Sequence, residues 1–77
     1  MKKLQIVATQ LLYKKEYNLF HNSYPIATIH EREKYSEIVD TSDYMEGFLF
    51  TSKYATLQEA IDEVEKSFNL FYEKFTK

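Results

Sequence analysis

Along residues 4–12, LQIVATQLL, apolar side chains occupy both parities: Leu4, Ile6 and Ala8 on one, Val7 and Leu11 on the other. No helix-capping residue precedes the run and β-branched residues are frequent, so the pattern predicts a strand over about 3–12. A polar turn, KKE, leads into YNLFH, read as a second strand over 17–21. HNSYP then collects Asn, Ser and the only proline between two alternating runs, and these residues favour turn geometry. It marks a hairpin. The returning strand, over 25–32, alternates Ile26, Thr28, His30 and Arg32 with Ala27, Ile29, Glu31 and Glu33. Such alternation suits an antiparallel sheet with one covered and one wet face.

The next stretch has mixed signals. Ile38 and Val39 predict a short strand over 36–39, DTSD a turn, and GFLF a further strand over 47–51, which together read as a second hairpin. A loop across 35–46 is the alternative. The last segment is helical by every local criterion. Thr56 followed by Glu59 is a capping box, and Leu57, Ile61, Val64, Phe68, Phe71 and Phe75 recur at steps of four and three over 57–75. Ala60 and Tyr72 widen this stripe, whereas Gln58, Glu59, Asp62, Glu63, Glu65 and Lys66 read as its solvated outer face. Three phenylalanines are bulky for a coiled-coil seam and well suited to covering a sheet. The expected fold is therefore α+β: an antiparallel sheet of three to five strands with one C-terminal helix packed across one face.

Composition narrows the picture further. The 77 residues are enough for one domain, and so short a chain buries only about 60–65% of the surface its unfolded form exposes. It therefore needs a dense core, and 44% hydrophobic residues, with six Phe and seven Tyr, supply one. There is no cysteine, which excludes disulfides and thiolate metal sites and leads to an expected cytoplasmic location. No apolar run approaches the ~20 residues of a membrane span, and Gln5, Thr9 and Gln10 interrupt the first one, so it is read as a strand and not as a leader.

The net charge of −2 conceals a segregation. Lys2, Lys3, Lys14 and Lys15 stand against Glu16 in residues 1–17; Glu31, Glu33, Glu37, Asp40, Asp43 and Glu46 stand against Arg32 and Lys34 in residues 31–46. Catalytic patterns are hard to find. With one glycine, Gly47, there is no phosphate loop, and no serine sits in a glycine-rich elbow. His21 and His30 flank the first hairpin without facing each other, which disfavours a shared metal and predicts solvated rings. Asp40 and Asp43 lack the spacing of a calcium loop. The expectation is no enzyme, no cofactor and no metal.

Binding is the remaining class. Seven tyrosines exceed what so small a core can take with every hydroxyl satisfied, so several are expected at the surface, where tyrosine serves protein contacts. Tyr35, Glu37, Asp40, Asp43, Tyr44 and Glu46 interleave carboxylates with aromatics and would complement the basic surface of a host protein, such as a nucleic-acid groove. That set is the expected protein-binding site. The sheet-then-helix order closing on FTSKYATLQEAIDEVE, residues 50–65, resembles short proteins of bacteriophages and mobile elements, among them small anti-CRISPR and host-takeover proteins. The resemblance implies a non-catalytic inhibitor that occupies a surface of a larger machine such as a CRISPR effector. Two rival readings remain. One is single-stranded nucleic-acid binding through the four N-terminal lysines with Tyr13 and Tyr17; the other is a homodimer through the helix stripe or a free sheet edge.

Overall fold

The computed structural model describes residues 2–41 and 53–76. Among them, five strands form one antiparallel sheet in chain order: β1 (Gln5–Gln10), β2 (Lys15–His21), β3 (Tyr24–Glu31), β4 (Ser36–Thr41) and β5 (Lys53–Tyr54). A single C-terminal helix, α1 (Leu57–Thr76), completes the α+β fold. The strand expected over 47–51 lies outside the described residues, and the partner of β4 is Lys53–Tyr54, with Ser36 opposite Tyr54.

The β2–β3 hairpin turns through two residues, Asn22 and Ser23, both left-handed with φ of 48° and 69°. Positive φ at both central positions is the twist-matched geometry for a two-residue hairpin. Two bulges then set which side chains face inward. Leu19 pairs with Ala27 but Phe20 with Pro25, so Ile26 is an extra residue in β3. The irregularity accommodates Pro25 in a central strand and lets two consecutive residues, Ile26 and Ala27, both be buried. In β4 the extra residue is Val39, which is exposed.

The core lies between sheet and helix. Leu19, Ile29 and Ile38 from the strands meet Ala60, Ile61, Val64 and Phe68 from α1, and Leu57, Phe71, Tyr72, Tyr17 and Tyr54 pack around them. At its start, Thr56 Oγ1 accepts from the Glu59 N–H (3.2 Å) and the Glu59 carboxylate from the Ala55 N–H (3.2 Å). The helix lies chiefly over β3, β4 and β5. β1 projects past it, which is why all six of its residues are exposed. No described helix is long and apolar enough to cross a membrane.

Candidate functional site

Register divides the expected acidic site between two environments. Ser36 and Ile38 point to the core, so Glu37 and Asp40, on either side of the Val39 bulge, belong to the sheet face away from the helix, opposite His30 and Thr28 respectively. Neither carboxylate makes an ion pair with a described residue. Tyr35 precedes the strand in the β3–β4 turn, with the Lys53 ammonium 4.8 Å from the centre of its ring. Lys53 is also the register partner of Glu37, so this patch carries a cation of its own. Asp43, Tyr44 and Glu46 lie outside the described residues.

A polar chain crosses the same face. Thr28 Oγ1 donates to Asn18 Oδ1 (2.8 Å), Asn18 Nδ2 to Glu16 (3.3 Å), and Glu16 meets His30 Nε2 at 3.0 Å. The hydrogen bond with His30, and then that from Asn18, hold the Glu16 carboxyl below the ordinary carboxylate value. His30 Nδ1 is buried without a partner. The expectation of solvated histidines is thus corrected for both rings. His30 is largely buried because a central strand places it among neighbours on both sides. His21 sits against the helix, 4.9 Å from the Phe68 ring and 5.8 Å from Tyr72, because β2 parity puts it on the covered face.

The four lysines do not converge. Lys2 lies over the Tyr72 ring at 4.4 Å, and Lys3 pairs with Glu65 at 3.5 Å, at the start of β1. Lys14 and Lys15 stand at the far end, where Lys15 pairs with Gln10. At about 3.3 Å per residue, the two pairs are on the order of 20 Å apart. Tyr17 is tied down as well, its hydroxyl donating to Glu31 at 2.9 Å. Burial, reinforced by Glu31, raises its pKa; burial does the same for Tyr54.

Two positions that tie the helix to β1 carry no signal in the sequence. Glu65, assigned to the solvated face of the helix, is 5% exposed, and its carboxylate accepts the Leu4 N–H at 3.0 Å. One turn later Asn69 makes a reciprocal pair with the Lys2 backbone, accepting its N–H (2.8 Å) and donating to its carbonyl (3.0 Å). The helix thereby covers the beginning of the β1 edge with side-chain hydrogen bonds. Beyond Leu4 that cover stops. Ile6, Val7, Leu11, Leu12 and Tyr13 are exposed by 42, 54, 36, 84 and 87%. No protein-family model, curated protein or solved structure matches the chain. Among the described residues, no group of three His, Asp or Glu side chains is placed to share a metal ion.

Proposed function

We propose that the chain is a non-catalytic protein-binding module whose acidic sheet face docks on a basic surface of a larger protein and inhibits that protein by occupying it. The observation that carries this reading is the placement of Glu37 and Asp40 on the face away from the helix, neither with an ion pair among the described residues, while Lys2 and Lys3 are held on the helix side by Tyr72 and Glu65. Carboxylates presented from a paired strand keep a fixed spacing, which favours recognition of a matching array of cations over loose electrostatic attraction. A nucleic-acid groove of a host protein has that chemistry. The exposed β4 bulge at Val39 adds an apolar contact between the two acids.

The test is a matched pair of charge reversals. Glu37→Lys with Asp40→Lys should abolish capture of a basic partner from nuclease-treated lysate while leaving the circular dichroism spectrum unchanged. Asp62→Lys with Glu73→Lys makes the same change in net charge on the helix surface and should leave capture intact. Equal loss in both variants would reduce the effect to net charge, and no loss in the first would reject the face.

A further inference from the structure

We infer that two copies of this chain associate through the open edge of β1, which pairs antiparallel with its symmetry mate and joins the two five-stranded sheets into one. This does not depend on the acidic face. The hydrogen-bond phase of β1 sets which of its backbone groups face outward. The Leu11 N–H donates to the Lys14 carbonyl at 2.9 Å, and antiparallel bonding alternates along a strand. Thr9, Val7 and Gln5 therefore bond to β2, and the backbone groups of Ile6, Ala8 and Gln10 turn outward. In the same phase lie Lys2 and Leu4, the residues whose backbones Asn69 and Glu65 engage. The helix thus satisfies the first two outward positions and, among the described residues, leaves three open.

Three open positions spaced by two are symmetric about Ala8. A two-fold axis normal to the sheet there places Ala8 opposite Ala8, Ile6 opposite Gln10 and Gln10 opposite Ile6, so that every open N–H and carbonyl finds a partner, about six bonds by the antiparallel pattern. Opposite residues share a face, so both helices lie on one side. In this register Val7 meets Thr9, a β-branched pair, and the exposed Leu11 and Leu12 of one copy lie level with Gln5 and Leu4 of the other. The partner's hairpin end stops beside the Glu65 and Asn69 cover and does not need to displace it. Centring on Val7 would instead put Gln10 against the occupied backbone of Leu4.

A second copy fits this edge better than an unrelated strand because the segment is uncharged. From Gln5 to Gln10 there is no charge, proline or bulge, the devices that block edge pairing, so two identical copies meet without repulsion. Of the flanking lysines, Lys2 and Lys3 are held in their own chain by Tyr72 and Glu65, and Lys15 lies over the Tyr17 ring. Among the described residues the opposite edge, by contrast, is the two-residue strand Lys53–Tyr54, which carries a charge. A contact built on one short strand is smaller than the ~1,600 Å² of a standard interface, so the dimer should be dilution-sensitive.

Light scattering across a dilution series should give twice the 9.3 kDa chain mass at high concentration, falling toward one chain on dilution. Ala8→Pro removes an N–H that points outward and not into β2, so it should keep the circular dichroism spectrum and give one chain mass throughout. Because the protein has no cysteine, register can be read separately by oxidising a mixture of Val7→Cys and Thr9→Cys chains. The mixed disulfide should form several-fold in excess over either homodisulfide. A wild-type mass of one chain at the highest concentration, a dimer that survives Ala8→Pro, or no excess of the mixed disulfide would each overturn the inference.

Discussion

At the scale of single residues, the structure turns on polar groups whose surroundings their sequence neighbours do not reveal. Glu16 stands in a lysine-rich stretch as an ordinary surface carboxylate, yet cross-strand pairing places it at 3.0 Å from His30. Its folded pKa is lowered, so the stabilisation from this contact is complete above the ordinary carboxylate value and is lost as pH falls through the lowered one. Glu16→Gln should therefore melt below wild type at neutral pH, and the two melting curves should draw together as pH falls from the ordinary carboxylate value through the lowered one. Tyr17 and Tyr54 have the opposite dependence. Burial favours their neutral forms, so their contribution is complete below the ordinary tyrosine value of 10 and fades as pH rises through the raised one. Position along a strand, more than residue type, decides which groups behave this way.

At the scale of elements, local chemistry agrees with the architecture and leaves one turn improvable. The Asn22–Ser23 turn holds a serine at φ 69°, where glycine has no Cβ to clash. Ser23→Gly should raise unfolding free energy by about 1 kcal/mol in urea titrations without altering the fold. The extent of helix α1 was legible from its capping box and apolar period, although Glu65 was not and the Phe75 side chain lies outside the described residues, whereas strand ends were legible only to a few residues. β1 is shorter than the apolar run suggests because chain reversal at Leu11–Lys14 takes up its last leucines. The bulges at Ile26 and Val39 carry no signal in the alternation, since a bulge is a property of the pair of strands and not of either one.

At the scale of the whole molecule, Glu65 and Asn69 connect the two ends of the described chain. The contact between Glu65 and Leu4 spans 61 positions. Removing the carboxylate leaves a buried N–H without its acceptor, so Glu65→Ala should cost about 1–3 kcal/mol. It should also speed hydrogen exchange at the Leu4 amide more than at amides of β3. Glu65→Gln retains an acceptor and should lose less. The segregation of charge read along the chain persists in space, because a sheet in chain order places the start of the chain at one edge and β4 toward the other. The four lysines, all within the first fifteen residues, nonetheless separate to opposite ends of β1.

The amino-acid sequence by itself determined the α+β class, the helix with its stripe from Leu57 to Phe71, and the β2–β3 hairpin, because these depend on periodicity and turn chemistry within a few residues. It also placed Tyr35, Glu37 and Asp40 in one acidic segment. Only the tertiary structure decided that Glu37 and Asp40 share the face away from the helix, that both histidines are drawn into contacts, and that Glu65 is buried. It alone shows the edge of β1 covered at Lys2 and Leu4 and open from Ile6 onward. These outcomes depend on cross-strand register and on the path of the helix over the sheet, and both are set by which distant surfaces pack together.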